Sequence, residues 1–164
     1  MPDLISFSRN RCVSVEQPDS QTMRSSCRLQ DTLIDASVEI TVGLPDLEIT
    51  QVACKVRRTY LEQCRDPGDC LQKVIGTRVG PGMLKIIKGL LAEATGCRQL
   101  VFMVEECCHG IILSFTKDML KLVPPGQELA VDFFKKWVSE NIRLYNRCAA
   151  FAPGSSIVEG IEPP

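Results

Sequence analysis

Apolar and polar residues alternate with a period of two from Ile34 to Val42. Ile34, Ala36, Val38, Ile40 and Val42 stand between Asp35, Ser37, Glu39 and Thr41. Successive side chains of a strand point to opposite faces, so the pattern predicts a strand buried on one face only. Gly43-Leu44-Pro45-Asp46 ends it, because glycine and proline supply the φ values that turns need. A second strand is predicted from Leu47 to about Arg58, with Leu47, Ile49, Val52, Cys54 and Val56 as its inward set. The two make an antiparallel hairpin, and an earlier strand around Ser26 to Leu33 is placed to pair with it. Residues 1–20 are polar and close with Gln17-Pro18-Asp19-Ser20, which reads as a flexible N-terminal arm or a loosely docked first strand.

Beyond Arg58 the period lengthens. Cys70 to Ile75 is a short helix stopped by Gly76, and Val79-Gly80-Pro81-Gly82 is a stiff turn before a helix from Met83 to Ala94. Leu84, Ile87, Leu90 and Leu91 recur there at steps of three and four, as one buried helix face requires. Thr95-Gly96 ends that helix, and a third apolar segment runs from Cys97 to Phe115, with Gly110 weakening its interior. Val123-Pro124-Pro125-Gly126 breaks the chain again. A final helix from Gln127 to Cys148 carries a stripe of Leu129, Phe133, Trp137, Leu144 and Tyr145, which packs on the same chain or on a second copy. Strands first and helices afterwards predict an α+β fold. Its parts are an antiparallel sheet of about three strands, three core helices and a C-terminal amphipathic helix. The expected organisation is an arm (1–20), a single domain (21–123), the helix packed on it (124–151) and a disordered tail (152–164).

Composition narrows the classes of function. With 19 basic and 20 acidic side chains among 164 residues, the chain lacks the basic excess of a nucleic-acid surface. No apolar run reaches the ~20 residues that span a bilayer. The first residues lack the basic start and apolar core of a signal peptide, so the expected setting is the cytoplasm. Nine cysteines in a reducing compartment are not a disulfide framework, and most should serve as small buried hydrophobes.

Two of the nine stand out. Cys64 and Cys97 each stand where a helix begins, and the unpaired N–H groups and partial positive charge there stabilise a thiolate. Thiolate is the form that attacks electrophiles, carries sulfur or ligates metal. A soft metal such as zinc would draw on Cys64 and Cys97, with Cys54, on the inward side of its strand, or Cys70 as a further ligand. Cys107-Cys108-His109 is no such set, because neighbours on a helix point in different directions. His109 lies three turns beyond Cys97, so the two are not a catalytic dyad, whereas Arg65 and Arg98 directly follow the two cysteines and add positive charge. Reversible sulfur transfer fits this setting better than hydrolysis. Gly76-Thr77-Arg78-Val79-Gly80-Pro81-Gly82 has glycines and an arginine before a helix but no Gly-Lys-Ser/Thr signature, and reads as a structural turn rather than a phosphate cradle. Glu105, Glu106 and Asp118 read as solvated charges.

The strand pair V-E-I-T-V and D-L-E-I-T-Q-V, the run Y-L-E-Q-C with V-I-G-T-R-V-G-P-G, and T-G-C-R-Q-L-V-F-M-V together resemble an uncharacterised bacterial family, domain of unknown function 2889. The resemblance makes Cys64, Gly76, Gly80, Gly82, Gly96, Cys97 and Leu100 the family positions, with Gln99 standing where the family has histidine. In topology the chain also resembles the NifU/IscU-type iron–sulfur scaffold, which implies a zinc ion or nascent cluster on clustered cysteines. The function expected is metal or iron–sulfur handling, or sulfur carriage, through Cys64 and Cys97 meeting in one pocket. The alternative is a non-catalytic interaction or assembly module with the cysteines in its core. The implied partners are a sulfur donor or another protein, for a monomer or homodimer, with neither nucleic acid nor membrane.

Overall fold

The structure, a computed structural model, describes residues 7–60, 62, 68–95, 97–117, 123 and 131–164. Four strands form one antiparallel sheet in the order β1-β2-β3-β4. They are β1 (Arg9–Glu16), β2 (Thr22–Asp31), β3 (Asp35–Gly43) and β4 (Glu48–Arg58). A 3₁₀ turn (Gly68–Val74) and the helices α1 (Met83–Thr95), α2 (Arg98–Ser114) and α3 (Val131–Glu140) follow. The α+β class is as expected, with one strand more. That strand is β1, formed by residues 9–16 and paired with β2 from Arg9 opposite Asp31 to Glu16 opposite Arg24. The chain divides into two compact units, residues 1–111 and 112–164. Among the described residues no helix is long and apolar enough to cross a membrane.

Alternation assigns the two sheet faces. Met23, Cys27 and Leu29 of β2, Ala36, Val38, Ile40 and Val42 of β3, and Ile49 and Val52 of β4 are buried on the inner face. Their cross-strand neighbours on the outer face are almost all polar. There Arg24 reaches Glu16 at 3.1 Å and Glu39 at 3.6 Å, and Arg28 and Arg57 converge on Asp35 at 3.0 and 3.6 Å. Such exposed pairs add little stability but keep that face wetted. The inward set of β4 jumps from Ile49 to Val52 because Thr50 is an extra residue, between Ile49 opposite Val42 and Gln51 opposite Thr41. Arg57 is a second extra residue, between Val56 opposite Ala36 and Arg58 opposite Asp35.

One buried carboxylate ties the end of the sheet together. Asp31, 5% exposed, closes the β2–β3 turn by accepting the N–H groups of Leu33 and Ile34 on Oδ1, both at 2.7 Å. Its other oxygen accepts from Arg9 of β1 at 2.7 Å, and its main-chain carbonyl accepts from Arg58 at the end of β4. Burial works against the charge, but the N–H groups of Ile34 and Leu33 and the Arg9 guanidinium hold the Asp31 pKa below the ordinary carboxylate value.

The glycine-rich run between the 3₁₀ turn and α1 covers an edge. Gly76 N–H donates to Ile49 O at 2.8 Å, Thr77 O accepts from Ile49 N–H at 2.9 Å, and Val79 N–H donates to Leu47 O at 2.9 Å. Residues 76–79 thus pair with the start of β4, and the left-handed φ of Gly76, 87°, sets the chain into that path. The donors at 76 and 79 are spent on β4, so the run is the structural turn expected rather than an anion cradle. The next element, α1, buries Met83, Ile87 and Leu91, while Leu84 and Leu90 of the predicted face are only half-buried.

In the second unit α3 spans ten residues, not the 22-residue stretch from Gln127 to Cys148 that the stripe suggests. Residues 124–130 lie outside the described residues. The early end has a local cause: Asn141 donates its side-chain amide to Trp137 O at 3.0 Å, and Asn146 takes a left-handed φ of 57°. Leu144 is buried from a 3₁₀ turn (Ile142–Leu144) rather than from the helix stripe. Residues 152–164, read from composition as a disordered tail, form a run of turns in which Val158 is buried.

Candidate functional site at the start of α2

Buried residues of α2 come in adjacent pairs: Leu100 with Val101, Met103 with Val104, Cys107 with Cys108, and Ile111 with Ile112. Repeats at i, i+1, i+3 and i+4 make an apolar stripe wide enough to bury both members of each pair. This explains why Cys107 and Cys108 are both fully buried although they point about 100° apart. Only Arg98 and Leu113 of α2 are exposed.

The helix approaches the sheet closely at one point. A Cβ built on Gly110 would lie 2.8 Å from Val13 Cγ1, 3.1 Å from Val15 Cγ2 and 3.3 Å from Ser25 Oγ. Glycine, expected only to weaken the helix, is what lets α2 rest on β1 and β2. Two turns toward the N-terminus, the Arg11 guanidinium lies over the Phe102 ring at 4.6 Å.

Beneath this contact lie thiols. The Cys107 thiol donates to Val38 O at 3.6 Å. Burial, then the neighbouring Cys27 and Cys108, pushes its pKa far above the ordinary 9.0. Burial, with the Glu106 carboxylate adding to it, pushes the Cys27 thiol up to about 11. Ser25 Oγ, also buried, has no partner at hydrogen-bonding geometry among the described residues, although the Cys107 thiol lies near enough to feel its dipole. These cysteines are protonated core residues, inert by the rule that thiolate is the reactive form.

Cys97 is set differently. It directly precedes α2, and its carbonyl accepts the first helical bond, from Val101 N–H at 3.3 Å, which makes it the N-cap residue. Its side chain is partly exposed. Of the other expected site residues, Cys54 is half-buried on β4 opposite Val38, and Cys70 is half-buried in the 3₁₀ turn. Cys64, with Arg65, lies outside the described residues, as does Asp118. Among the described residues no three Cys, His, Asp or Glu side chains are grouped to hold a metal ion.

His109 Nδ1 lies 3.7 Å from Glu106, and Lys88 of α1 lies 3.8 Å from Glu105. Twelve residues of helix separate His109 from Cys97, roughly 18 Å, so the two share no site. An open groove of about 370 Å³ lies beside β4, lined by Glu39, Thr41, Gln51 and Gln72 among others, and brings no thiol to its walls. Sequence reasoning missed Asp31, Arg9 and Arg11. The available signal was Asp31 followed by Leu33 and Ile34, an Asp able to cap its own turn.

The profile of a family described as "Protein of unknown function (DUF2889)" matches residues 13–109, from β1 to the middle of α2. No curated protein and no solved structure matches the chain.

Proposed function

The chain belongs to the DUF2889 family, and from that premise we propose that it carries a soft, thiol-bound species on Cys97 in a reducing cytosol. The favoured cargo is sulfur, held as a persulfide. The observation supporting this is the cap position of Cys97 on α2 with part of its surface in solvent, while the two other cysteines of the helix are sealed in the core. In the proposed step the Cys97 thiolate attacks the terminal sulfur of a donor persulfide, R–S–SH. The donor S–S bond breaks, Cys97–S–SH forms, and the donor leaves as the thiolate R–S⁻. No oxidant or reductant is needed.

A zinc ion or iron–sulfur cluster is the other cargo this reading admits. Zinc takes four ligands, at least three of them from protein. Cys97 would need Cys64, together with Cys54 or Cys70, to hold it. A persulfide needs Cys97 alone, which is why sulfur carriage stands first. Two assays test the proposal. Iodoacetamide at about pH 6.5 is expected to label Cys97 at least tenfold faster than Cys107 or Cys108 in folded, metal-free protein. Metal analysis of protein purified without oxygen then separates the cargoes, since bound zinc or iron lost in Cys97→Ser favours the metal. Equal, slow labelling of all three cysteines with no metal present would leave the interaction module, with the cysteines as core residues, as the function.

A further inference from the structure

The two edges of the sheet are finished differently. An open edge offers unpaired N–H and C=O groups to any other strand, and proteins blunt it with bulges, lysine or covering segments. The β4 edge has all three. Thr50 and Arg57 are extra residues, Lys55 is exposed, residues 76–79 pair with 47–49, and Gln72 Nε2 donates to Val52 O at 3.2 Å. The β1 edge has none of them. Its register runs without a shift through all eight residues, it contains no lysine or proline, and no described segment pairs with its outer side. The inward arginines that would otherwise repel a partner are engaged within the chain, Arg9 by Asp31 and Arg11 by Phe102.

We propose that β1 pairs antiparallel with β1 of a second copy of this chain, about a two-fold axis perpendicular to the sheet. The four-stranded sheet is thereby doubled, with the Gly110 contact of α2 on the same face in both copies. This axis pairs residues that point to the same face, so the register is centred on Cys12 or on Val13. In the first register Arg9 faces Val15 of the copy, Asn10 faces Ser14 and Arg11 faces Val13. In the second Asn10 faces Glu16 and Arg11 faces Val15. Neither sets like charges against each other, whereas in-register parallel pairing would oppose Arg9 and Arg11 to themselves. The charge pattern of the strand therefore admits its own copy antiparallel and disfavours it parallel. The pairing is independent of Cys97 and of the cargo. One strand pair is smaller than a standard interface, so micromolar affinity is expected.

Sedimentation velocity of the full chain in reductant tests this. The mass is expected to rise from 18.2 kDa toward twice that value between low and high micromolar concentration. In Cys148→Ser protein, which removes the other cysteine exposed among the described residues, a short bismaleimide is expected to join two chains through Cys12, identified by peptide mass. Both registers bring the two Cys12 residues opposite or diagonal to each other, about 5–8 Å apart. Cys12→Glu stands beside Arg28 within the chain and leaves the monomer folded by circular dichroism, but it opposes two carboxylates across the axis. Its dissociation constant is expected to rise about fivefold at low salt. A monomer at every concentration overturns the proposal. So does a dimer that neither links through Cys12 nor weakens with Cys12→Glu.

Discussion

Replacing Asp31 by alanine is expected to destabilise the sheet unit by about 3 kcal/mol, read as a lower urea midpoint at unchanged slope. The change leaves the N–H groups of Leu33 and Ile34 without their acceptor and takes away the buried partner of Arg9. Arg9 is one-third exposed and turns to water at little cost, so most of the loss comes from the turn. Asp31→Asn keeps an oxygen for the two N–H groups and loses only the charge, and is expected to cost about 1 kcal/mol. The two variants together separate the turn from the ion pair. The pH dependence has a definite sign. Because the folded pKa of Asp31 lies below its ordinary value of 3.8, its contribution is fully present above that value and is lost as pH falls through the lower, folded one. The stability gap between wild type and Asp31→Asn should therefore be constant near neutrality and shrink only in acid below about pH 4. A gap that widens in acid would contradict the assignment.

Gly110 is the second position where one side chain decides much. Gly110→Leu is expected to cost about 3 kcal/mol, because its Cβ meets Val13 and Val15 below normal contact distance and a larger side chain must push α2 and β1 apart. Gly110→Ala gains about 1 kcal/mol of helix propensity and meets the same first contact, so a net loss of about 1 kcal/mol is expected. Thermal unfolding of both variants checks this, with the leucine variant falling further. If alanine stabilised the protein, the packing of α2 on β1 would be looser than the distances say.

These positions also mark where sequence alone stopped. β3 was legible because it alternates cleanly, and β4 because its apolar positions continue the pattern after the turn, with the step from Ile49 to Val52 already containing the bulge at Thr50. The start of α2 at Cys97 was legible because Thr95-Gly96 ends one helix and an apolar run opens the next. β1 was not distinguished from an arm, because an edge strand with Arg9 and Arg11 on its inner side hides the period of two. Their partners, Asp31 and Phe102, are 22 and 91 residues away. The glycine at 110 was read for helix propensity, a local quantity, while its use depends on three residues of other elements. The long C-terminal helix failed because a stripe says which face would be buried, not that Asn141 will cap the chain early. The pairing of Cys64 with Cys97 lies outside the described residues.

Mapping sulfur on the protein tests sulfur carriage by Cys97 most directly. The full chain, purified without oxygen and treated with a low-molecular-weight persulfide, is digested under non-reducing conditions and read peptide by peptide in a mass spectrometer. The expected result is one added sulfur atom on the Cys97 peptide, released as thiocyanate by cyanide and absent from that peptide in Cys97→Ser. Sulfur found on the exposed Cys12 and Cys148 with none on Cys97 would contradict it.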